Sequence, residues 1–129
     1  MTASFAARRY SVLHFDDEVD ERELFAMDME ALGFEVESAR APEEVVARVA
    51  ERDFDAVVLD VMQHADLDAG IELCKRLKSE PTLGQAKIVM LSNRDDEMAR
   101  DRSRKAGADA YVVKGSAAEC GRKLLELLG

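Results

Sequence analysis

The sequence predicts an α/β fold, a doubly wound five-stranded parallel sheet with helices on both faces. Three observations predict it. Short apolar runs alternate with longer amphipathic stretches, five times over. The central runs are apolar at consecutive positions, as strands covered on both faces must be. No repeat, low-complexity block or linker divides the 129 residues, a length that suits one domain with a sizeable core.

Val12, Leu13, His14 and Phe15 read as the first strand. Residues 19–32 read as a helix, with Leu24, Phe25, Met29 and Leu32 near one face and Gly33 as the C-terminal stop. Residues 34–38 alternate apolar and polar, as a half-exposed strand does. Residues 42–51 form a helix whose Pro42 fits the first turn. Residues 56–59, Ala-Val-Val-Leu, are a buried strand. The next helix is expected over 70–79, aligning Ile71, Cys74 and Leu77. A strand over 87–91, a polar helix over 95–106 and a strand over 110–113 follow. The last helix starts at Ser116, and Glu119 completes a capping box. Five such units with right-handed crossovers fit the flavodoxin-like strand order 2-1-3-4-5. That order puts a ligand at the carboxyl ends of strands 1 and 3, just after Phe15 and just after Leu59.

Composition narrows the function. A net charge of −9 argues against direct nucleic-acid binding, which needs Lys and Arg for the phosphates. No stretch is apolar for long enough to cross a bilayer, and the N-terminal MTASFAARRY lacks the apolar core of a secretory signal. Cys74 and Cys120 lack metal-type spacing, fall in helical patterns and fit packing in a reducing cytoplasm.

Chemistry gathers where the topology demands it. Asp16, Asp17 and Glu18 follow strand 1, and Asp60 ends strand 3. Neighbouring strands lie about 4.8 Å apart, so these carboxylates converge. At roughly 4 Å two of them repel by about 4 kcal/mol at an effective dielectric of about 20. Such a cluster needs a cation, and an oxygen-only, partly open site favours Mg²⁺. Ser92 ends strand 4 and Lys114 ends strand 5. A hydroxyl and an ammonium beside an acid–metal cluster are what a bound phosphoryl group requires. Singly, each of these residues reads as a helix cap, a loop acid or a solvated lysine. The combination at four strand ends is the specific signal.

These stretches, LHFDDE (13–18), VVLDVM (57–62), IVMLSN (88–93) and GADAYVVKG (107–115), resemble the receiver domain of bacterial response regulators. The resemblance covers nearly the whole chain, implying a receiver domain over 10–129 behind an N-terminal arm at 1–9. It implies that Asp60 is the phosphoacceptor. Asp17 and Asp60 would ligate Mg²⁺ with the backbone carbonyl of Met62, and Asp16 would act through water. Ser92 and Lys114 would bind the phosphoryl oxygens. Ser92 and Tyr111 match the switch positions, and Met62 and Arg94 match positions that tune dephosphorylation. The implied donor is a sensor histidine kinase or a histidine phosphotransfer protein. The implied output is a protein target on the helix 4, strand 5, helix 5 face, and a homodimer is compatible.

Departures stand beside the resemblance. Gly115 follows Lys114 where the family usually has proline, and His64 replaces a common proline after the aspartate. The loop after Asp60 is expected to be longer and more mobile, since Gly70 arrives late. His64, Asp66 and Asp68 read as a solvated loop or as a second metal site. Two other readings stay open. One is a degenerate receiver serving as a phosphorylation-independent binding module. The other is a phosphatase or transferase with Asp60 as nucleophile, although Met62 stands where such enzymes carry a second acid and no cap segment is present.

Overall fold

The computed structural model describes residues 9–61 and 66–129. Its elements are β1 (Ser11–Phe15), α1 (Val19–Ala31), β2 (Glu35–Ala39), α2 (Pro42–Glu51), β3 (Ala56–Asp60), α3 (Asp66–Lys78), a 3-10 turn (Pro81–Leu83), β4 (Lys87–Ser92), α4 (Glu97–Lys105), β5 (Ala110–Val113) and α5 (Ala117–Leu128). All strand pairs are parallel, in the order β2-β1-β3-β4-β5. The expected topology is therefore observed.

Side-chain parity in the strands builds two cores. Val12 of β1, Ala56 and Val58 of β3, and Val89 and Leu91 of β4 face Phe25 and Met29 of α1 and Cys120 and Leu124 of α5. Leu13, Val57, Leu59, Ile88 and Met90 point the other way, against α2, α3 and α4. Every residue of β3 is buried, as expected of a strand covered on both faces.

Helix ends follow local chemistry. Gly33 has φ +99°, and Phe34 N–H donates to the Met29 carbonyl while Gly33 N–H donates to that of Glu30. That is a Schellman stop, and Phe34 packs in the same core as Met29. It delays β2 by one residue against the expected 34–38. The Ser116 side chain accepts from Glu119 N–H, and Glu119 reaches back to Ser116 N–H, as the capping box requires.

One expectation is corrected. Helix α3 starts at Asp66, four residues before the expected Gly70, while residues 62–65, on which the expectation of a longer and more mobile loop falls, lie outside the described residues. Leu67, Ile71 and Cys74 form one buried stripe, which carries the helix upstream past the glycine. Gly70 is needed inside the helix for packing: a Cβ there would lie 2.2 Å from Val61 Cγ1.

Candidate functional site

The sheet register sets the site. Phe15 pairs with Leu59, Asp60 with Leu91, and Ser92 with Val113. Asp16, Asp60, Ser92 and Lys114 thus follow or end β1, β3, β4 and β5 on one rim. The Asp16 backbone is tied to β2 through its N–H to the Ala39 carbonyl, 3.0 Å.

Asp60 is buried, and its Oδ2 accepts from Lys114 Nζ at 3.1 Å. The same ammonium donates to Glu21 Oε1 at 2.7 Å. Burial works against the Lys114 charge, but the bond to Glu21 and the charge of Asp60 outweigh it and raise its pKa. Asp16 is buried as well. Its Oδ1 accepts from Glu18 N–H at 3.0 Å. Burial first, and then the neighbouring Asp60 charge, push its pKa up to about 7 against the opposing bond from Glu18.

Two carboxylate oxygens in the pocket, Asp16 Oδ2 and Asp60 Oδ1, are buried without a hydrogen-bond partner among the described residues. Orphaned acceptors of this kind are costly unless something satisfies them. A divalent cation does so, and its charge offsets the repulsion between the two acids. The donor set therefore fits a metal ion. Asp17 is exposed, and the donor atoms that gather within 4.8 Å of one another belong to His14, Asp16 and Asp60.

Ser92 is buried, and its Oγ accepts from Arg94 N–H at 3.1 Å. The Arg94 carbonyl accepts from Tyr111 Oη at 2.7 Å, and the Arg94 guanidinium pairs with Asp96 at 2.8 Å. Asp96 in turn caps α4 by accepting from Ala99 N–H at 2.8 Å. The guanidinium of Arg100 lies 5.1 Å from the Tyr111 ring centroid. Ser92, Arg94, Tyr111 and the start of α4 thus form one bonded chain. Met62 and His64 lie outside the described residues. Asp68, weighed as a loop metal ligand, is paired with Arg102 at 2.6 Å across α3 and α4.

Two contributors were not anticipated from the sequence. Glu21, one turn into α1, holds Lys114. His14, fully buried on β1, sets Nε2 3.5 Å from Asp60 Oδ2 and stacks on Phe25 with ring centroids 3.8 Å apart. Burial lowers its pKa, against the opposing influence of Asp60. A polar residue within an apolar interior strand, two positions before Asp16 and so on the same strand face, is the signal that could have found it.

The cysteines play no part in this chemistry. Both are free and buried, and burial pushes Cys74 up to about 11 and Cys120 up to about 12. Neither presents a thiolate near neutrality.

Comparison with known proteins agrees with this geometry. The family described as response regulator receiver domain matches residues 12–126. A gliding motility regulatory protein of Myxococcus xanthus is 37% identical over 115 residues, covering 89% of this chain and 14% of that protein. The phosphate regulon transcriptional regulatory protein PhoB of Rhizobium meliloti is 41% identical over 91 residues, covering 70% of this chain and 39% of that protein. The chain thus spans less than half the length of either relative. A putative response regulator from Chloroflexus aurantiacus has a TM-score of 0.81 at 27% identity, covering 94% of this chain and 98% of that one. The Vibrio cholerae chemotaxis protein CheY4 shares the fold, with a TM-score of 0.84 at 23% identity over 94% of this chain and all of that one. The buried acids, the lysine at the end of β5 and the family match over 12–126 lead to one conclusion: this chain belongs to the response-regulator receiver domains.

Proposed function

We propose that the chain is a phosphorylation-dependent signalling switch in a two-component phosphorelay, with Asp60 as the phosphoacceptor. The observation that carries this reading is the Asp60 carboxylate, buried on the central strand. One of its oxygens is held by Lys114 at 3.1 Å and the other has no partner among the described residues. A carboxylate fixed by one oxygen presents the other as a nucleophile. In the reaction, an Asp60 oxygen forms a bond to phosphorus as the bond between phosphorus and the donor's histidine nitrogen breaks. The departing imidazole keeps the electron pair and takes a proton.

Receiver domains bind Mg²⁺ at an acidic pocket. Here Asp16, Asp17 and Asp60 would hold it, with the Met62 carbonyl as a further ligand. When bound, Mg²⁺ neutralises charge on the phosphoryl oxygens. Lys114 contributes a charge-assisted hydrogen bond to the same oxygens, and Ser92 contributes its hydroxyl. Ser92 would donate its O–H to the new phosphoryl oxygens, and turning toward them strains the bond that its Oγ accepts from Arg94 N–H. That loosens the chain running through the Arg94 carbonyl to Tyr111 and α4. Output therefore runs through α4, β5 and α5 to a protein target. Met62 and Arg94 tune hydrolysis of the phosphoryl group, and any self-dephosphorylation is slow switching rather than turnover catalysis.

Receiver domains work with histidine kinases or phosphotransfer proteins and with downstream targets. For this chain, a sensor kinase or phosphotransfer protein is the donor. The charge of −9 disfavours direct nucleic-acid contact. Among the described residues no helix is long and apolar enough to cross a membrane. A cytoplasmic location fits the phosphodonors, and self-association through the output face is compatible.

Incubation with a small acyl phosphate and Mg²⁺ tests the proposal. A stable gain of one phosphoryl mass that needs Mg²⁺ and is lost in Asp60→Asn is expected. An unmodified protein would favour the degenerate binding module. Continuous consumption of the donor would favour a hydrolase.

A further inference from the structure

Histidine is an unusual occupant of a pocket otherwise built from oxygen donors, and His14 is an unusual histidine. It has no solvent exposure, and neither ring nitrogen has a hydrogen-bond partner among the described residues. Its ring is clamped against Phe25, with centroids 3.8 Å apart and planes 17° from parallel. That contact fixes the direction of Nε2, which faces Asp60 Oδ2 at 3.5 Å. Donor atoms of His14, Asp16 and Asp60 all lie within 4.8 Å of one another. Among the described residues Asp16 Oδ2, Asp60 Oδ1 and both ring nitrogens of His14 are unpartnered, while the Asp60 oxygen that Nε2 faces, Oδ2, also accepts from Lys114.

We propose that His14 is a metal ligand. With Asp16 and Asp60 it gives the pocket a mixed nitrogen–oxygen donor set that selects a borderline transition ion, Zn²⁺ being the probe, over Mg²⁺. The inference rests on the receiver reading of this pocket and adds a donor to it. Two donors about 2.0–2.1 Å from one ion at a tetrahedral angle lie about 3.4 Å apart. The observed 3.5 Å between Nε2 and Oδ2 matches that spacing and is too long for a good hydrogen bond. Mg²⁺ is a hard ion that prefers oxygen and water, whereas imidazole suits Zn²⁺ and its neighbours. The lysine does not block the site. Lys114 keeps its 2.7 Å pair with Glu21 if an ion displaces it from Asp60. Because the ion engages Asp60, its occupancy competes with phosphoryl uptake.

The test uses the full metal-free chain and its variants His14→Val and His64→Ala, the latter removing the other histidine. Calorimetry measures Zn²⁺ and Mg²⁺ affinity, and nitrogen-15 NMR follows the His14 ring. Expected are one tight Zn²⁺ site, a clear shift of the His14 ring nitrogen on binding, and a loss of Zn²⁺ affinity of at least about tenfold in His14→Val. Mg²⁺ affinity should change far less in that variant, and His64→Ala should bind Zn²⁺ as the wild type does. Equal Zn²⁺ affinity with and without His14, or ring resonances unmoved by Zn²⁺ in the wild type, would overturn the inference. The Mg²⁺ arm separates this from the function proposed above. A wild type that binds no Mg²⁺ and takes up no phosphoryl group overturns that function, whereas a Zn²⁺ preference indifferent to His14 overturns only the metal assignment.

Discussion

At the scale of single residues, Asp16 carries a testable electrostatic signature. Its carboxyl is buried beside Asp60 and its pKa is raised to about 7. A raised folded-state value means that the folded protein holds a proton the unfolded chain has already released. Stability of the metal-free protein should therefore fall as pH rises from about 4 to about 7, and level off above. Asp16→Asn removes the charge and keeps an oxygen to accept from Glu18 N–H. Metal-free melting at pH 8 should show the variant more stable by roughly 1–3 kcal/mol, with the gain vanishing near pH 4. An unchanged or lower melting temperature at pH 8 would count against an acidic, ion-requiring pocket. As residues, the two aspartates after strand 1 are equivalent in kind, and only the resemblance made Asp17 the direct ligand and Asp16 the one acting through water. Which of the two is buried depends on the backbone turn fixed by the bond from Asp16 N–H to Ala39, a contact 23 residues away along the chain. His14 was illegible for a related reason. Its identity is plain in the sequence, but the direction of its ring depends on Phe25 of α1.

At the scale of elements, α3 and α4 flank the site and differ in kind. Gly70 in α3 leaves room for Val61, the residue after Asp60, whose N–H donates to the Leu91 carbonyl at 2.8 Å. Gly70→Ala should force Val61 aside, cost about 1–3 kcal/mol and slow phosphoryl uptake. Normal stability and uptake together would show that the contact is slack. Helix α4 buries only Ala99 and Ser103 within its span, and its Arg100, Arg102, Arg104 and Lys105 all pair with acids. With so little apolar area it should open locally more readily than its neighbours. Hydrogen exchange should be faster there than in α5, whose Cys120, Gly121 and Leu124 are buried. Slower exchange in α4 than in α5 would contradict its role as the movable element. The helix starts with polar caps, such as Ser116, were readable because capping is local chemistry. The start of α3 was misread because glycine is a helix breaker by propensity, and tertiary packing against Val61 overrides that preference.

At the scale of the whole molecule, parallel order does the work that no local feature can. Strands β1, β3, β4 and β5 are far apart in sequence, yet their carboxyl ends form one rim because the order is β2-β1-β3-β4-β5. That much was legible from the alternation of apolar runs and helices, since right-handed crossovers leave few alternatives. The distances within the rim were not, because they depend on register and twist. The proposed function rests on that rim: an acid on the central strand, a lysine after the edge strand and an acid after β1 share one hollow. Reductive trapping tests this most directly. After phosphorylation with Mg²⁺ and a small phosphodonor, borohydride reduces an aspartyl phosphate to homoserine, and peptide mass mapping locates it. Conversion at position 60 alone, suppressed in Lys114→Ala, is the predicted result; conversion at position 16 or 17, or none in a protein that binds Mg²⁺, would contradict the account.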